Sequence, residues 1–187
     1  GATILSKLNN TIVTVGFTTG CDYVCDGTAD DVQIQAAIDE VYAAGGGTVF
    51  LRAGDYAISA NLNLKSSIIF CGEGDSTILT VAVDKVIIAD EQENIKIRDI
   101  LIDCNNQDDD NIGIRIKDSS NVFIDNISII NAWGFGLFIS SLVLCEIIRV
   151  TNCFFHGFAH TDLFGGGTNV DDGKTRDVII TDNIFVV

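Results

Sequence analysis

Three groups of side chains have the residue types that do chemistry. His156, His160 and Asp162 form the chain's one histidine–carboxylate cluster. An imidazole beside a carboxylate suits general acid–base work on a glycan, with His160 and Asp162 as the acting pair. Two histidines four residues apart suit metal binding equally well. Arg115 is a basic group flanked by Ile114 and Ile116, and alternation turns it outward with Lys117. It is the candidate proton acceptor for a lyase. Asp108, Asp109 and Asp110 follow Asp103 in a run ending at Asn111, and clustered oxygen ligands of that kind suit Ca²⁺. Each group also has a plainer reading. The His–Asp cluster lacks an identifiable third member and reads as a polar turn. Arg115 reads as surface charge. The acidic run lacks EF-hand spacing and reads as a solvated loop, so no cofactor is required.

The elements that would position these groups repeat. Four segments share an alternating apolar pattern broken by Asn or Asp: Ile95–Ile102, Val122–Ile129, Ile148–Phe155 and Val178–Phe185. Their marker residues, Asp99, Asn126, Asn152 and Asp182, are 27, 26 and 30 residues apart. Self-similarity at that period signals a solenoid. Between these segments lie further short runs, Gly113–Ile116, Gly136–Ile139 and Asp162–Gly165. Period-two alternation over such short lengths predicts strands. Strands recurring in one sense of travel pair with the next repeat in parallel, which makes an all-β parallel β-helix. The Asx residues then stack at a bent corner. Asp162 falls where the other repeats have Gly113 and Gly136, a column read as outward.

The same alternation sends Phe123, Phe138, Phe154, Phe164, Ile179 and Ile184 outward. Stacked coils would join them into an apolar stripe, and large exposed apolar patches mark partner surfaces. Aromatic rows also stack on sugar rings. A coil ending at Val187 would leave strand edges open to a neighbouring chain, such as another copy's Thr11–Val15 strand.

Bulk composition narrows the field. The 187 residues suit one domain, residues 1–187, with the N-terminal strand, helix and first coil in 1–56 and further coils in 57–187. A net charge of −15 argues against nucleic acid and, without a bridging cation, against polyuronates or sulfated glycans. No apolar run is long enough to span a membrane. The chain opens on Gly1 with no basic-then-apolar leader, which reads as a processed form. Six cysteines fit no zinc spacing and leave disulfide pairing open.

Near the N-terminus, Thr28 with Asp31 resembles a capping box. Ile34, Ala37, Ile38 and Val41 then mark one helical face, ended by Gly45-Gly46-Gly47. Cys71-Gly72-Glu73-Gly74 reads as a turn. The segments Asp26–Ile38 and Gly45–Tyr56 resemble the N-terminal signature of the pectate-lyase superfamily, which includes phage tailspikes, polygalacturonase-like enzymes and mannuronan epimerases. One departure is Arg52, where that family usually has Pro. The resemblance implies a right-handed parallel β-helix whose first end is capped by the helix. It also implies polysaccharide as a partner. The epimerases carry Asp-Pro-His-Glu after a Gly-aromatic-Gly strand. Here Gly134-Phe135-Gly136 is followed by Leu137-Phe138-Ile139-Ser140-Ser141, with no ionisable residue. The leading expectation is therefore an extracellular, cell-surface or virion module that self-associates as a homo-oligomer, fibre or spike. The alternative is a polysaccharide-binding or -processing protein.

Overall fold

The computed structural model describes residues 11–83, 85–105, 111–132, 134–156 and 175–186. The strands in chain order are β1 (Thr11–Gly16), β2 (Tyr23–Val24), β3 (Gly47–Leu51), β4 (Gly54–Ile58), β5 (Leu62–Asn63), β6 (Ile68–Val81), β7 (Lys85–Asp90) and β8 (Glu93–Asp103). They continue as β9 (Ile112–Lys117), β10 (Ser120–Ile130), β11 (Phe135–Ser140), β12 (Cys145–Thr151), β13 (Phe154–His156), β14 (Thr175–Thr181) and β15 (Ile184–Val186). Among the described residues one helix, α1 (Asp31–Ala43), precedes the regular coils. Among the described residues the strand pairings are all parallel and join successive coils, as the repeats require.

Each regular coil has three sides. In β8 the first side is Ile95–Arg98 and the second Ile100–Asp103, with Asp99 as the bend between them. The third side is a separate four-stranded sheet in the order β11-β9-β7-β5. Inward residues stack in columns along the axis. Val13, Val49, Phe70, Ile97, Ile124 and Val150 are in register on the first side, and none is more than 3% exposed. Full burial of each such side chain is worth roughly 1.5–3 kcal/mol. Phe155 and Phe185 stack face to face at 5.0 Å on the second side.

Corner chemistry explains the Asx spacing. Asp99, Asn126, Asn152 and Asp182 all have φ of 51–59°. Left-handed backbone costs most L-residues roughly 1–2 kcal/mol, and Asn and Asp tolerate it because their short polar side chains bond locally. Asn126 Nδ2 donates to Asp99 Oδ1 at 2.8 Å, which links two rungs of this stack. Asn152 Nδ2 instead donates to Asp125 Oδ1. A second left-handed corner precedes the first side: Ser67, Asn94, Asn121, Ile147 and Asp177 have φ of 55–64°. There Asn121 Nδ2 donates to Asn94 Oδ1.

Helix α1 buries Ile34, Ala37, Ile38 and Val41 against the first strands. The capping-box expectation is overturned. Asp30 is the N-cap residue and makes no side-chain cap bond. Its buried carboxylate instead accepts the N–H groups of Asp26, Gly27 and Ala57, and Asp31 accepts from Ser59. These carboxylates tie the helix start to β4, a long-range use that local spacing does not reveal. Cys71-Gly72-Glu73-Gly74 is likewise no turn between strands. It lies inside β6, where the pairing with β8 shifts register on either side of Gly74.

The glycine column is enclosed, not outward. Gly113 and Gly136 are buried, and a Cβ on Gly113 would lie 2.7 Å from the Gly136 carbonyl oxygen and 2.8 Å from Ile129 Cγ2. Glycine is there for close approach of coil to coil. All six cysteines are free thiols, five of them buried.

Candidate functional site

The third side brings together the most varied chemistry. Its outward residues alternate with the buried Ile114, Ile116, Leu137 and Ile139. Register places Ile88, Arg115 and Phe138 in one column and Asp90, Lys117 and Ser140 in the next. Arg115 Nε donates to Asp90 Oδ1 at 3.1 Å, and its Nη2 donates to Asp90 Oδ2. The pair is partly buried, at 24% and 31% side-chain exposure, so solvent screens it less than a fully exposed pair. Arg115 is thus held as a carboxylate-bound fork. The neighbouring ring of Phe138 is half-buried, and Phe135 tilts against it at 5.4 Å between centroids.

A cleft of about 380 Å³ opens where this face turns the corner, lined by Glu91, Asp118, Ser120, Val143 and Leu144. That size is at the low end for small-ligand sites. Asp118 shapes its wall. One of its carboxylate oxygens accepts the N–H groups of Leu142 at 2.6 Å and Val143 at 2.7 Å. Partial burial pushes this carboxyl's pKa up, but the backbone donors of Val143 and Leu142 outweigh it and hold it below the usual range. The pinned turn leaves Leu142 53% and Val143 74% exposed.

The other sequence-derived candidates are spread over the molecule. Phe123 lies on the first side, in register between Lys96 and Arg149, and the Arg149 guanidinium sits 5.9 Å from its ring centroid. Ile179 follows in the next coil, exposed. Phe154 and the exposed Ile184 pair on the second side. Phe138 alone of the described set is on the third side. The outward residues therefore do not join into one stripe: alternation reports in or out but not which of three sides. His156 is exposed, its ring nearly parallel to Phe154 at 6.2 Å. His160, Asp162, Phe164, Asp108, Asp109 and Asp110 lie outside the described residues. Among the described residues no group of three or more His, Cys, Asp or Glu is placed to hold a metal ion, and no helix is long and apolar enough to cross a membrane.

Sequence reasoning missed Asp90. It ends the apolar run Val86–Ala89, 25 residues before Arg115, close to one coil period. Extending the repeat backward by one coil would have found it.

Comparison with known proteins agrees with this architecture. Residues 25–187 match the family described as the right handed beta helix region. A mannuronan C5-epimerase of Azotobacter vinelandii, AlgE4, is 37% identical over 98 residues, covering 43% of this chain and 18% of that protein. The chain thus spans under a fifth of that relative's length. Among solved structures, ORF18 of Geobacillus virus E2 superposes with a TM-score of 0.72 at 19% identity, over 92% of this chain and 36% of that one. PfbA, a surface adhesin of Streptococcus pneumoniae, gives 0.71 at 21% identity, over 92% and 49%. At these identities the structures share the fold alone. A family match over most of the chain, joined to parallel three-sided coils in register, makes this protein a member of the right-handed β-helix family.

Proposed function

We propose that this chain is a carbohydrate-binding β-helix domain of a virion or cell surface, and that glycan lies on the outer face of β7, β9 and β11. One observation carries the reading: Phe138 stands in register beside Arg115, whose guanidinium is fixed by Asp90. An aromatic face stacks on the apolar face of a sugar ring, and a fixed fork of donors and acceptors orients its hydroxyls. The relative named for mannuronan and the phage and adhesin neighbours support glycan and surface as the setting. The role proposed for this face is binding. The stretch after Gly134-Phe135-Gly136 holds Leu137, Phe138, Ile139 and Ser140, with no ionisable group where the resemblance places acid and base groups.

The test is a glycan panel with and without Ca²⁺, read by retardation in affinity gels and by product release. Phe138→Ala should abolish retardation. Turnover lost in His160→Ala with Asp162→Ala would transfer the chemistry to those residues. A Ca²⁺ requirement would implicate Asp108, Asp109 and Asp110.

A second reading is self-association as a fibre or spike subunit. Leu142 and Val143, side by side and exposed on a rigid turn, favour it. Sedimentation across a concentration series tests it, and a concentration-independent monomer would end it.

A further inference from the structure

We infer that the face of β7, β9 and β11 is built for neutral sugars bearing adjacent hydroxyls, and that it rejects uronates and sulfated sugars; this rests on the glycan-binding reading above. The argument begins with charge. Arg115 is the cation nearest the Phe138 ring in register, and Asp90 occupies both its Nε and Nη2 donors. A guanidinium so engaged no longer offers an uncompensated positive charge to a carboxylate on the ligand. Lys117 is in register with Asp90, and Glu91 and Asp118 immediately follow the ends of β7 and β9. Arg115 and Lys117, in adjacent outward columns, are therefore met by Asp90, Glu91 and Asp118, within a chain of net charge −15. A polyanion approaching it meets repulsion both locally and from the whole molecule.

What remains on offer is neutral hydrogen bonding. The guanidinium has N–H groups beyond the two given to Asp90, and each carboxylate oxygen has lone pairs beyond the one it uses. Donor and acceptor then lie side by side in one plane, the arrangement that two neighbouring sugar hydroxyls satisfy, each giving and taking one bond. Phe138, with Phe135 tilted against it, supplies the apolar shelf beneath the ring. The corner cleft of about 380 Å³ adds Ser120 and the Glu91 and Asp118 carboxylates as further hydroxyl partners. These acceptors would repel an anionic substituent placed there.

The test compares neutral polymers (a glucan, a mannan, a galactan and a xylan) with polymannuronate, polygalacturonate and a sulfated galactan. Binding is measured on the intact chain at roughly physiological salt, where exposed charges beyond about 8 Å are screened. At least one neutral polymer should bind and the acidic ones should not. Phe138→Ala should weaken that binding at least roughly tenfold, about 1.4 kcal/mol. Asp90→Asn, by freeing the Arg115 charge, should lower neutral affinity and raise polyuronate affinity several-fold. Lys96→Glu, on the first side of the coil, is a second variant that makes the same charge change away from this face, and it should leave neutral binding within about twofold. Wild-type protein that binds a polyuronate as tightly as any neutral polymer overturns the inference and leaves glycan binding standing. Protein that binds neither class overturns both.

Discussion

Asp90 and Arg115 face each other across one coil, 25 residues apart in sequence, joined by two hydrogen bonds between side chains that are each about one-quarter to one-third exposed. Removing either partner leaves the other partly desolvated and unpaired. Asp90→Asn and Arg115→Met should each lower unfolding free energy by about 1–2 kcal/mol in urea titrations. The double variant should lose less than their sum, and full additivity would show that the pair contributes nothing.

Ile147 gives a prediction of opposite sign. It is a β-branched residue at φ 55°, in the corner that Asn94 and Asn121 occupy in earlier coils, and it is 39% exposed. Its side chain contributes little burial to set against the left-handed strain. Ile147→Asn should raise stability by about 1 kcal/mol, seen as a higher urea midpoint at unchanged slope.

The enclosed glycine column predicts the reverse. Gly113→Ala places a methyl against the Gly136 carbonyl and Ile129, and backbone cannot yield as a side-chain tip can. A loss of about 1–3 kcal/mol is expected, with Gly113→Ser no better.

Acid should weaken the protein through identifiable groups. Thr151 and Asn152 hold the Asp125 carboxyl below its ordinary value of 3.8, and Thr14 does the same for Asp22. Asp118 is also lowered, with burial opposing and the Val143 and Leu142 amides prevailing. A depressed folded value stabilises fully above the unfolded value and fades as pH falls through the folded one. Urea midpoints should therefore hold near neutrality and drop below about pH 4. Asp118→Asn should flatten part of that drop.

Thiol chemistry divides the cysteines. Burial pushes the thiols of Cys25 and Cys104 up to about 12 and that of Cys153 to about 11, and it also raises Cys71 and Cys145. The thiolate is the reactive form, so these five should resist alkylation in the folded state. Cys21 is half-buried and lines a cleft with Thr18, Arg52 and Glu73. One equivalent of fast alkylation, mapped to Cys21, is expected near pH 8. Because the folded values are raised, the buried thiols stabilise below the unfolded value of 9.0. That contribution is lost as pH climbs from there through about 11 and 12.

The coil repeat was legible because burial imposes period two within a strand and the corner imposes Asx once per turn. Asp99, Asn126, Asn152 and Asp182 gave both signals together. The second corner escaped notice because Ser67 and Ile147 interrupt its run of Asn and Asp. The site was less legible. Arg115 was singled out, but its carboxylate partner lies one coil earlier, in a stretch whose repeat pattern is weaker. The phenylalanines were assigned to the outside, yet Phe123, Phe138 and Phe154 belong to three different sides. Side depends on where each corner falls, and corners with variable loops are poorly marked. The Thr28–Asp31 pair misled because Asp30 and Asp31 bond to a strand more than 25 residues away.

Parallel pairing of coil with coil has a mechanical corollary. The interstrand bonds run along the solenoid axis, perpendicular to the strands they join. A pull that separates the two ends of the stack loads one row of bonds at a time. The domain should therefore peel open at modest force, turn by turn, in a sawtooth of small extensions. A tether fixed across a single coil would instead shear whole strands and hold far longer.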